Sequence, residues 1–153
     1  MTSGPNSVPR PWVEYAAALW AGVFAVFHII WAAGWYPLLD AEGARAGMGA
    51  VWWKWAYDVV VAVMCVIAVP IVLARVMPWG RQLPPRLVRS LLFVGTSLLL
   101  LRTTAALVQT GYLIAAGRFQ LLGVWEWWFF AGTILFTASA LRVIRAARQP
   151  QLA

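Results

Sequence analysis

The stretch "DVVVAVMCVIAVPIVLAR", residues 58–75, has an aspartate at one end, an arginine at the other and no charge between them. It is too long for a buried strand. It nearly matches the ~20 helical residues needed to cross a hydrocarbon core of ~30 Å. The rest of the chain repeats the pattern, with apolar stretches over 13–36, 51–77, 88–114 and 122–145. Of the 153 residues, 63% are hydrophobic and 11% charged, whereas a soluble domain is about 25% charged. Lipid admits only helices or closed barrels as spanning structures, and these runs are too evenly apolar for barrel strands. The expected fold is all-α: a polytopic membrane protein with one antiparallel four-helix transmembrane domain over 13–145. Residues 1–12 and 146–153 read as short tails.

The net charge of +7 does not indicate a nucleic-acid partner, because the arginines follow the topology. Arg75, Arg81, Arg86 and Arg89 surround the link between spans two and three. Arg142, Arg145 and Arg148 close span four, and Arg10 precedes span one. These places share one side of a four-span protein. The opposite links carry Arg45 and Arg118 with Asp40 and Glu42. The positive-inside rule then places both termini in the cytoplasm, and anionic lipid headgroups are the expected neighbours of the basic rim. The polar, Pro-rich opening "MTSGPNSVPRPWVEY" does not read as a cleavable signal peptide. Pro11 is placed to start the first helix and Pro37 to stop it. The single cysteine, Cys65, reads as a small apolar filler and excludes a CxxC redox pair.

Ionisable residues inside spans are expensive and mark either function or a structural network. Five lie at mid-depth or towards the outer end: His28 in span one, Lys54 and Asp58 in span two, Arg102 in span three and Glu126 in span four. Arg102 is expected to pair with Asp58 and Glu126, since its planar fork can hold one or two carboxylates. Gln109 lies two turns further out on the same helix. His28, the only histidine, is expected to face this shared polar interior. Glu14 begins span one and is expected to remain wet. Ala18 and Gly22 would allow close helix approach. Trp31, Trp35, Trp55 and Trp127 belong to an aromatic set near the outer boundary, where tryptophan is enriched as an interface anchor. They are also candidates for lining an apolar pocket.

The phrases "FHIIWAAGWYP", "LLRTTAAL" and "WEWWFFAGTILF" resemble an uncharacterised family of small bacterial four-helix integral membrane proteins. Its first helix carries a histidine and tryptophan roughly as "LHxxWAxGG". His28, Trp31 and Gly34 match, while Trp35 stands at the second glycine. The resemblance implies architecture and a bacterial inner-membrane setting, but no activity.

Three functions remain open on the residues. The first is a membrane enzyme that isomerises, cyclises or hydrates an apolar isoprenoid- or lipid-like substrate. Asp58, Glu126 and His28 would be its acid–base groups. Arg102, Lys54, Gln109 and the tryptophans would bind the substrate, and no cofactor or metal is expected. The second is a proton-coupled transporter acting as a homodimer. The third is a non-catalytic accessory subunit of another membrane protein, with a structural arginine network.

Overall fold

The computed structural model describes residues 11–37, 51–117 and 124–148. The expected tails, apart from their residues nearest the helices, lie outside that set. So do the link residues Asp40, Glu42, Arg45 and Arg118.

Four helices form the described chain: α1 (Trp12–Ala32), α2 (Trp52–Leu73), α3 (Pro85–Ala115) and α4 (Val124–Arg148). Each contains a segment long and apolar enough to cross a membrane. The expected all-α, four-span bundle is the observed fold. The structure also revises where the helices end. Ala33 caps α1, four residues before Pro37. Gly34 takes φ +86°, and its N–H donates to Trp31 O at 2.9 Å while the Trp35 N–H donates to Ile30 O at 3.1 Å. This pair of bonds is a Schellman cap, in which the left-handed position favours glycine. Gly34, not Pro37, terminates the helix. At the other end Pro11 occupies the N-cap as expected. Pro84 and Pro85 do similar work for α3, where a missing N–H costs nothing. The proline-rich link before α3 is a short 3-10 turn, Pro78–Gln82.

The buried residues of α1 recur every three or four positions, from Glu14 through Ala17, Ala21, Phe24 and His28 to Trp31. This is the stripe of a helix packed on more than one neighbour. Helix α1 packs chiefly on α2 and also on α4, while α3 packs mainly on α4. The α2–α3 contact is the sparsest of the four. Trp20 and Phe24 anchor the middle of the bundle with Phe129 and Phe136. Helix association in lipid draws on such close packing, because hydrocarbon offers apolar side chains no penalty to escape.

Close approach occurs at a different glycine from the one expected. A Cβ at Gly22 would meet Val69 at 3.9 Å, an ordinary contact, whereas one at Gly132 would lie 2.3 Å from the Trp20 ring. Trp20 therefore lies against the backbone of α4, and its Nε1 donates to Trp128 O at 2.9 Å. Thr103 and Thr133 share a hydroxyl bond of 2.8 Å between α3 and α4. An interhelical bond of this kind contributes roughly 0.6 kcal/mol in lipid.

The antiparallel arrangement gives the bundle a basic end and an aromatic end. The basic end gathers the start of α1, the α2–α3 link and the close of α4. The aromatic end holds Trp31, Trp35, Trp52, Trp53, Trp55 and Trp127.

Candidate functional site

Near the aromatic end, α1 and α2 bring His28 and Asp58 together. Nδ1 of His28 and Oδ1 of Asp58 share a hydrogen bond of 2.7 Å, and the two residues are 3% and 1% exposed. With Asp58 as the acceptor, Nδ1–H of His28 donates, and Nε2 is the ring nitrogen left for another partner. Nε2 is buried without a hydrogen-bond partner in the described structure. The rings of Phe24, Trp31 and Tyr57 meet the imidazole edge-on, with centroids at 4.5, 5.0 and 6.2 Å. Asp58 thus fixes one face of a histidine whose other nitrogen lies in an aromatic box. This is the arrangement of a base oriented by a carboxylate.

Arg102 does not join this pair. It lies 3.8 Å from Glu126 across α3 and α4, and its guanidinium sits over the Phe129 ring at 4.4 Å. Both side chains remain about one-third exposed. The expected single polar interior is therefore two sites, one between α1 and α2 and the other between α3 and α4. The split follows from packing, since each charged residue meets the helix most tightly apposed to its own.

The other expected members fall in different places. Gln109 is exposed and adds no amide to either site. Lys54 stands over Trp53 at 5.6 Å. Trp31 is buried beside His28. Trp55 is exposed, and its Nε1 donates to Ala32 O at 3.0 Å, tying α2 to the end of α1. Trp35 and Trp127 are 68% and 59% exposed, which is how interfacial tryptophans sit rather than pocket walls.

A cleft of about 410 Å³ opens where α2 and α3 meet least. Trp20 and Phe24 of α1 and Phe129 and Phe136 of α4 form its back. Tyr57, Val60 and Met64 line one side, with Leu98, Leu101 and Arg102 on the other. The volume lies within the range of small-molecule sites, ~300–1,000 Å³, and the lining has the usual apolar majority with few polar groups. Neither His28 nor Asp58 lines it. Phe24 and Tyr57 belong both to the cleft wall and to the aromatic box around His28. Of the expected pocket tryptophans, none lines this cleft. Trp20, which sequence reading passed over, does. Its spacing of four from Phe24 on the buried stripe was the available signal.

At the basic end, Glu14 is 3% exposed, not wet. Arg75 and Arg142 donate to its two oxygens at 2.9 and 3.0 Å. Arg75 also donates to the backbone and hydroxyl oxygens of Ser139. Burial lowers the pKa of Arg75, Glu14 opposes that shift and Arg142 adds to it. Helix α2 stops at Leu73, so Arg75 lies beyond the helix and can turn inward to the start of α1.

Compared with protein-family models, with curated proteins and with solved structures, the chain matches none. The stretch "FHIIWAAGWYP" is accounted for by the fold alone. In that motif, Gly34 caps α1, Trp31 walls the histidine, and His28 meets Asp58 of the next helix.

Proposed function

We propose that the protein is a small membrane enzyme that takes an apolar, lipid- or isoprenoid-class substrate from the bilayer into the α2–α3 cleft. In this reading His28 and Asp58 supply acid–base chemistry. The observation that carries it is the buried His28–Asp58 pair, with an unpartnered Nε2, sharing Phe24 and Tyr57 with a ligand-sized apolar cleft. The substrate body lies along the aliphatic walls, and Arg102 offers donors to a polar end. In this reading the substrate reaches His28 past Tyr57, which is 46% exposed and borders both the cleft and the imidazole. His28 accepts a proton from carbon and returns it elsewhere on the same molecule, while Asp58 stabilises the transient imidazolium. Isomerisation or cyclisation of this kind needs no oxidant or reductant, and hydration adds only water. Glu126 is not assigned a proton-transfer role, since it sits with Arg102 on the far helix pair. We place the protein in the bacterial inner membrane with both termini in the cytoplasm, on the distribution of arginines.

The test is to identify lipids that co-purify with the protein and to follow their turnover. Asp58→Asn and His28→Gln are expected to retain the lipid and lose about 10²–10⁴-fold in rate, the usual contribution of general acid–base catalysis. Wild-type rates in both variants would overturn the reading.

A second reading, a non-catalytic accessory subunit, is favoured by one observation: the pair lies outside the cleft lining. It predicts that the same substitutions weaken folding or assembly alone. A transport route has less support. Between Glu14 and His28 the buried residues are Ala17, Ala18, Trp20, Ala21, Phe24 and Ala25, an apolar stretch in the middle of the path.

A further inference from the structure

A second pocket, about 230 Å³, lies at the basic end between the close of α2, the Pro78–Gln82 turn and the start of α3. Arg75, Arg81 and Arg89 line it together with the apolar Leu83, Val88 and Val143, and no acidic side chain does. Among the described residues Glu14 is the one acid at this end, and both its oxygens are engaged by Arg75 and Arg142. Two exposed guanidinium side chains, Arg81 and Arg89, therefore border one small space with no acidic partner among the described residues, beside Arg75, whose charge is matched by Glu14. The first turn of α3 adds Pro85 and Val88 to the lining, so the positive end of that helix borders the same space. Gly80 makes the geometry possible: a Cβ there would lie 1.8 Å from Ala74 O. Only glycine lets the turn lie against the end of α2 and close the pocket's wall.

We propose that this pocket binds a phosphate group carried by an amphiphile. Arginine forks match phosphate oxygens in bidentate geometry. The arginines would take the phosphate, and Leu83, Val88 and Val143 would take the adjoining apolar part. The site is independent of the α2–α3 cleft and of any chemistry at His28. Phosphate could also arrive as a free ion, and the two sources differ in their need for the apolar walls.

The experiment uses the full chain in nanodiscs and in detergent. Binding is measured by native mass spectrometry with phosphatidylglycerol, phosphatidylcholine and inorganic phosphate as separate probes. The variants are Arg81→Gln and Arg89→Gln, which leave the Arg75–Glu14 clamp intact. Arg86→Gln is the control, since it removes the same charge nearby but does not line the pocket. A retained phosphatidylglycerol that weakens about fivefold in each pocket variant, and less in the control, supports the site. Equal weakening in all three variants overturns it in favour of a diffuse basic rim. Binding of inorganic phosphate as tight as that of phosphatidylglycerol overturns the amphiphile and leaves a free-anion site. Absence of binding by every probe overturns the proposal outright.

Discussion

Glu14 and Asp58 are buried to nearly the same degree at opposite ends of the bundle, yet they are held in different ways. Glu14 has a guanidinium on each oxygen, and one of those arginines is further anchored to Ser139. Asp58 has one side-chain partner among the described residues, His28, whose second nitrogen is left over. A fully satisfied network locks geometry and has nothing left to offer a ligand. A partly satisfied one, next to a cavity, keeps a reactive atom in reserve. The difference separates a clamp from a candidate site within a single helix bundle.

The largest effect is expected at the clamp. Glu14→Ala removes the carboxylate that two half-buried arginines share, and breaking such a pair costs about 3–5 kcal/mol. Thermal unfolding in detergent should register it as the most damaging single substitution, with the cleft's lipid lost only as the fold is lost. A stability near wild type would mean the clamp is not what distinguishes the basic end.

Gly132→Ala tests the packed middle that divides the two ends. The new Cβ would collide with the Trp20 ring, and overpacking of this kind costs about 1–3 kcal/mol. Trp20 also lines the cleft, so tryptophan fluorescence and lipid retention should change together. Retention that is unchanged while stability falls would uncouple the core from the cleft.

A smaller stability change is expected at the other carboxylate. Asp58→Asn keeps the shape and a hydrogen-bonding group, so the loss should stay near the ~1 kcal/mol of an ordinary hydrogen bond. A double cycle with His28→Gln, read by chemical or thermal denaturation, gives the coupling of the pair. If Asp58→Asn destabilises as much as Glu14→Ala, the two ends are both clamps and the comparison fails.

The smallest effect is expected at Gln109. Its side chain is exposed on α3, and surface substitutions away from special features usually stay within about 0.5 kcal/mol. Gln109→Leu should leave melting temperature and lipid content unchanged, and a clear loss of either would return Gln109 to the site.

The four spans were legible because length and composition suffice for them. An uncharged run such as 59–74 has one stable solution in lipid, whatever its neighbours do. The presence of a polar site was also legible, since His28, Asp58, Arg102 and Glu126 stand out against their surroundings. Its membership was not. Helical periodicity says which residues share a face, but not which helix that face meets. Arg102 could reach either acid in principle, and the close α3–α4 packing gave it Glu126. Glu14 looked wet because it opens a helix. Its burial depends on Arg75, which lies beyond the end of α2, and on Arg142, which comes from the far end of the chain.

By itself, then, the sequence determined a four-helix membrane bundle with a basic end, an aromatic end and a few costly charges between them. Apolar length and arginine placement act locally, and local rules can be read along a chain, whereas the stop of α1 at Gly34 rather than Pro37 came from the structure. Only the tertiary structure decided that His28 meets Asp58, that Glu14 is clamped, and that the sparse contact lies between α2 and α3. Those outcomes depend on helix rotation and on single close approaches such as Trp20 on Gly132. They are set by packing among residues from 30 to 128 positions apart.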